Sequence, residues 1–169
     1  MRFVITGEWN RNRLLQTIIA CYAFYVMALW LTNALLYFDK MSLSPASVVA
    51  YYLGNEAEYR PARSYQGMLE IAHFHLFAMG MLLLVLTHLV LFVPVSVRTK
   101  VAMIAFPFLS AALDESGGWL VRFVDPSLAW VKVAGFLALQ TSLAALIGLS
   151  LWAVFRGSSR NYTNGAQLE

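Results

Sequence analysis

Charge is what this sequence has least of. Asp, Glu, Lys and Arg make up only 12% of its 169 residues, against 60% hydrophobic residues, and its mean hydropathy is +0.63. That balance excludes an ordinary soluble domain and a disordered chain, and it places the sequence with integral membrane proteins. Cysteine occurs once, as Cys21, which excludes an internal disulfide and any CxxC or CxxCH chemistry. Missing too are GxSxG, HExxH and a phosphate-binding glycine loop, so nothing points to hydrolysis. There is no basic patch interleaved with aromatics, so nucleic acid is not an expected partner. The net charge of +3 fits basic residues that flank membrane spans.

What is present is apolar length. Four runs, at about 14–38, 69–93, 101–121 and 128–155, each approach or exceed the roughly 20 residues that a helix needs to cross a bilayer. The expected fold is therefore all-α: an integral membrane four-helix bundle forming one domain over residues 1–156, with 157–169 a disordered tail. The opening Met1–Trp9 lacks the layout of a cleavable signal, so the first span is expected to stay in the mature protein. That span carries one mid-to-late polar residue, Asn33, expected to hydrogen-bond between helices.

The sizeable polar segment lies between spans one and two. Ser44 and Pro45 read as an N-cap and first-turn proline, Ala46 to Leu53 as a short interfacial helix, and Gly54 as its end. Pro107 near the middle of span three predicts a kink, and Gly117-Gly118 a break after Asp114-Glu115. Asp125-Pro126 reads as the cap of span four. Arg2, Arg11, Arg13, Arg98, Lys100, Arg156 and Arg160 fall on one side of the membrane, and Lys40, Arg60, Arg63 and Arg122 on the other. The larger basic set predicts a cytoplasmic location for both termini. The expected home is a bacterial inner membrane.

All three histidines sit in span two, as Glu70-Ile-Ala-His73-Phe-His75 and, further along, His88. An ionisable group inside a span is costly to keep and marks a functional site by default. At about 100° per residue, Glu70, His73, Phe77, Gly80, Leu84, Thr87 and His88 share one helical face and His75 points nearly the opposite way. His73 and His88 are about 22 Å apart along the axis and cannot share one ion. Glu70, His73 and His75 are expected to meet Asp114 and Glu115 of span three, with Lys132 nearby. Such a set suits a divalent metal, a proton relay or the polar ends of a quinone. The metal candidates are thus Glu70, His73, His75, Asp114 and Glu115. Glu70-x-x-His73 alone is one half of a di-iron pattern that needs two such motifs.

The pair His75 and His88, thirteen residues apart on one span of a four-span bundle, resembles the histidine pattern of membrane b-type cytochromes. That resemblance implies haem b held by His73, His75 or His88. No other span contains a histidine, so a second axial ligand would come from another subunit, a homodimer mate, Met27 or Met103. The expected function is a redox-linked subunit that binds haem b, a quinone or a metal and passes electrons within a respiratory-type assembly. A cytochrome or quinone would be its partner, with the lipid bilayer around it and a homo-oligomer or larger complex as its setting. Two other readings stay open. One is a cofactor-free accessory or assembly subunit, whose polar residues join helices. The other is a proton-coupled transporter or membrane enzyme, although four spans are few for a transporter.

Overall fold

Short capping rules set where the helices begin. The computed structural model describes residues 13–91, 93 and 95–159, the last seven by backbone alone. The opening segment with Arg2 and Arg11, and the tail from 160 onward, lie outside the described residues. Five helices follow in order: α1 Arg13–Lys40, α2 Pro45–Leu53, α3 Tyr65–Val90, α4 Val97–Phe123 and α5 Ala129–Ser159. No strand is present among the described residues, only an isolated bridge between Asn55 and Arg60. Serine caps start three of the helices: Ser44, Ser64 and Ser96 accept from the N–H groups of Ser47, Gly67 and Thr99. Each satisfies a donor that a helix N-terminus leaves unpaired. Gly54 ends α2 at φ +89°, a left-handed value that glycine adopts without steric cost.

Asp125 and Pro126 open the fourth span as expected, as cap and first residue of a 3-10 turn, Pro126–Leu128, that leads directly into α5. Other expectations need correction. α5 continues through 157–159, three residues expected to be disordered. Gly117 and Gly118 do not break α4, which holds Pro107 within it and runs on to Phe123.

Among the described residues three helical segments are long and apolar enough to cross a membrane: Arg13–Lys40, Tyr65–Val90 and Pro126–Trp152. The protein is therefore a helical membrane protein, in contact with lipid. α4 has a comparable length, 27 residues, but Arg98, Lys100, Asp114, Glu115 and Arg122 dilute its hydropathy. Burial separates the apolar three. Only 17% of the apolar window is buried in α1 and in α3, against 56% in the α5 segment. α5 is accordingly the hub, packed against α4 most extensively and also against α1, α2 and α3.

Two apolar clusters sit along this hub. Val26, Leu83, Leu86, Val90, Leu139, Leu143 and Leu146 fill the end away from α2. Tyr37, Met41, Val48, Val121, Val133 and Phe136 fill the α2 end, where the Tyr37 and Phe136 rings stack with centroids 3.7 Å apart. Phe74, Phe77, Leu84 and Leu109 are exposed on the chain surface, as lipid permits without cost. Since lipid tails are as apolar as leucine, close packing and interhelical hydrogen bonds hold such a bundle. Small residues supply that closeness here. A Cβ on Gly117 would fall 2.7 Å from Lys132 Cα, and one on Gly135 would fall 2.6 Å from the Asp114 nitrogen.

The polar connector is built rather than loose. Asn55 and Arg60 exchange backbone hydrogen bonds at 2.9 and 3.0 Å, and the Arg63 N–H donates to Tyr52 O. The Arg122 guanidinium donates from Nε to Arg63 O at 2.9 Å, and the Arg63 guanidinium lies 4.1 Å over the Tyr51 ring. This ties α2 and the exposed segment that follows it to α4.

Candidate functional site

Adjacent positions on a helix point about 100° apart. Asp114 and Glu115, consecutive on α4, therefore turn to different neighbours. Asp114 faces α5, where Lys132 Nζ donates to its Oδ1 at 2.7 Å and to its backbone oxygen at 2.9 Å. Glu115 faces α3, where its Oε2 lies 3.1 Å from His75 Nδ1. Two cross-helix polar pairs thus stand side by side within a largely apolar bundle. The Lys132 and Asp114 side chains are only 11% and 18% exposed, Glu115 is 21% exposed and His75 is 59% exposed. The first pair is the more buried of the two, and both border a void.

That void has two chambers. Toward α2 lies a cavity of about 560 Å³ whose walls include Tyr37, Tyr52, Arg63, Trp119 and Lys132. Away from α2 lies one of about 320 Å³ lined by Trp30, Leu76, Met79, Leu83 and Leu139. Asn33, His75, Asp114 and Glu115 border both, so the carboxylates mark the seam between the more polar chamber, whose walls are still largely apolar, and the more apolar one. Pro61, Ala62, Arg63 and Ser64 line the first chamber from the connector side. Tyr52 completes its roof: burial, and after it the charge of Asp114, push the phenol above its ordinary range, so it stays neutral and able to donate.

The sequence-predicted residues divide. His75, Asp114 and Glu115 come together, with Lys132 beside them. Glu70 does not join them; it accepts from Gln66 Nε2 at 3.0 Å in the exposed first turns of α3. His73 is exposed with its ring 5.9 Å from that of Phe74. His88 lies in the last helical turn, about 20 Å along the axis from His75, and lines neither chamber. The five-residue metal set is therefore not assembled. Among the described residues no group of three or more His, Cys, Asp or Glu side chains is placed to hold a metal ion. Met27 and Met103, the alternative axial ligands, also lie outside both chambers.

Sequence reasoning missed Tyr52, Arg63 and Trp119 as walls of the site. Asn33 carried the available signal, a polar residue within an apolar span.

Chemically, an ionised carboxylate accepts only, so Glu115 holds the neutral imidazole with its proton on Nδ1. Nε2 then remains as an acceptor, or as a donor once the ring is protonated. A ligand oxygen placed there can exchange one proton with His75, and Glu115 stabilises the imidazolium that results.

A family model for a transmembrane helical domain matches residues 42–161. The match takes in α2 through α5 and leaves α1 outside. No curated protein and no solved structure matches the chain.

Proposed function

The chain belongs to the Aq_1264_TM family of transmembrane helical domains, and from that premise we propose a redox-linked membrane subunit that binds a quinone through the His75–Glu115 pair. In this reading α4 crosses the bilayer with the three apolar helices, forming a four-helix bundle. Its two carboxylates are tolerated because each is paired with a neighbouring helix. One observation carries the proposal: a polar chamber and an apolar chamber meet at His75, Asn33, Asp114 and Glu115. A quinone has the same division, a ring with two oxygens and an apolar tail. His75 would hydrogen-bond one ring oxygen and take or return its proton. Electrons would pass to or from a partner subunit, a cytochrome or similar carrier in a larger assembly. In the sequence, Arg2, Arg11, Arg13, Arg98, Lys100, Arg156 and Arg160 flank one end of the spans against Lys40, Arg60, Arg63 and Arg122 at the other, which supports a cytoplasmic location for the first end, in a bacterial inner membrane.

Haem b is the competing occupant. His75 presents one ring nitrogen, but His88 stands a helix length away and no other span carries a histidine. A second reading, a cofactor-free assembly subunit, draws on the same polar pairs as interhelical fasteners.

One preparation separates the three. Protein purified in mild detergent is titrated with a tail-less benzoquinone while fluorescence of Trp30 and Trp119, one in each chamber wall, is followed. Saturable quenching, weakened at least about tenfold in His75→Gln as expected for loss of a hydrogen bond to a charged pair, supports the quinone reading. Absence of saturable quenching overturns it. A dithionite-reducible Soret band would put haem in its place, and a colourless protein whose His75→Gln variant only unfolds more readily would leave the assembly reading.

A further inference from the structure

The roof over the polar chamber raises the question of how a ligand enters. Tyr52, Pro61 and Ser64 cover the α2 end, and the segment is fastened by the Arg63–Tyr52 and Arg122–Arg63 hydrogen bonds. Entry from water on that side would pass along the polar groups of this segment.

The apolar chamber offers a different route. Its two side walls come from α1, through Leu29 and Trp30, and from α3, through Leu76, Met79 and Gly80, while α4 and α5 close the back. α1 and α3 scarcely approach each other along their length; α1 leans on α5, and α3 on α4 and α5. They meet toward the far end, where Val26 packs with Leu83 and Leu86 and the Tyr22 hydroxyl donates to Leu82 O at 3.2 Å. The gap between them is therefore shut at one end and open at the level of the chamber. Its rim is apolar and turned outward: Leu29 is 49% exposed and Leu76 65%. Gly80, also in the wall, has no atom within 4 Å of the position that a Cβ would take.

We infer that this gap is a lateral portal, through which the tail of an isoprenoid quinone slides in from the hydrocarbon phase while its ring settles against His75. The inference rests on the quinone reading above and adds the ligand class, one dissolved in the membrane and carrying an apolar tail. A tail-bearing molecule already partitions into lipid, so this route spares it exposing the tail to water. An apolar rim favours such a molecule and turns away polar solutes that the ring site alone would admit. From His75 to the Tyr22–Leu82 closure the chamber runs about 10 Å along the α3 axis, so the first part of the tail lies inside and the remainder trails between α1 and α3 into lipid.

Gly80→Leu and, from the opposite wall, Leu29→Trp narrow the portal without touching His75 or Glu115. In proteoliposomes, association of a decyl-tailed benzoquinone, followed by tryptophan fluorescence against the matching unsubstituted or Trp-bearing protein, should slow at least about tenfold in each variant, a change of the size seen among related complexes. Affinity for the tail-less benzoquinone in detergent should stay within about twofold, a range set by the few tenths of a kcal/mol typical of changes outside a contact. Unchanged association of the decyl form in both variants overturns the portal and leaves ring binding standing. Failure of the unsubstituted protein to bind the tail-less ring overturns the quinone reading itself. Loss of both ligands in Gly80→Leu with altered gel-filtration behaviour reports misfolding, and Leu29→Trp then decides.

Discussion

Lys132 grips Asp114 twice, donating to its carboxylate at 2.7 Å and to its backbone carbonyl at 2.9 Å. A single side chain of α5 thus serves both a charge and a peptide oxygen of α4, and it does so where water is scarce. Removing one partner leaves the other charge buried and uncompensated, which in comparable pairs costs about 3–5 kcal/mol. Asp114→Ala is expected to destabilise by that order. The double variant Asp114→Leu with Lys132→Met should lose much less than the sum of the two single changes. A double-mutant cycle by thermal unfolding in detergent checks this, and additive losses would contradict a coupled pair.

The close approach of α4 and α5 makes a second expectation. Gly135→Ala would put a Cβ 2.6 Å from the Asp114 nitrogen, whereas at Gly148 nothing lies within 4 Å. Overpacking of this kind costs about 1–3 kcal/mol. Gly135→Ala should lower the unfolding temperature by several degrees and Gly148→Ala should not. Equal behaviour of the two would mean that the helices separate without penalty.

Much of this architecture was legible before any coordinates, and what was not has physical reasons. Ser44-Pro45 and Gly54 were readable because capping depends on a few neighbouring residues. Asp114 and Glu115 stood out because carboxylates are rare in apolar spans. His75 and Lys132 were among their expected neighbours, but which of these each carboxylate meets, and that Glu70 and His73 stay away, was not legible, since helix periodicity gives faces but not which face looks inward. In a soluble helix the apolar stripe answers that question; in α3 both faces are apolar, so the Glu70–His73 side and the His75 side read alike. Gly117-Gly118 misled for a related reason. Glycines that break helices in water act in membranes as close-packing positions, and here α4 runs straight through them. Tyr52 left no local signal, because only tertiary packing brings it over α4.

Gln140 invites a gain. Both polar atoms of its amide are buried without a hydrogen-bond partner among the described residues, although its backbone oxygen accepts from Trp30 Nε1 at 3.0 Å. An unpaired buried polar group costs about 1–3 kcal/mol. Gln140→Leu, close in volume, should therefore raise the unfolding temperature. A lowered value would show that the amide is used.

Acid should loosen one turn specifically. The Asp125 carboxylate accepts from the Ser127 N–H at 2.7 Å, and that hydrogen bonding holds its pKa below the ordinary 3.8. For a depressed acid, the stabilisation is present above the unfolded value and is lost as pH falls through the lower folded value. Unfolding measured from about pH 6 down to about pH 3 should show a smaller acid-induced loss in Asp125→Asn than in the unsubstituted protein. Parallel curves would place the acid sensitivity elsewhere.

Tyr52 rests where Gly118 has no side chain: a Cβ there would come within 2.5 Å of the tyrosine oxygen. The ring is seated directly on the backbone of the helix that carries both carboxylates, three residues beyond Glu115. The polar segment and the buried charges are for this reason one mechanical piece. α2 cannot lift without dragging on α4, and a shift of α4 at its carboxylates must register in that segment, as the tilt of a lever is felt at its handle.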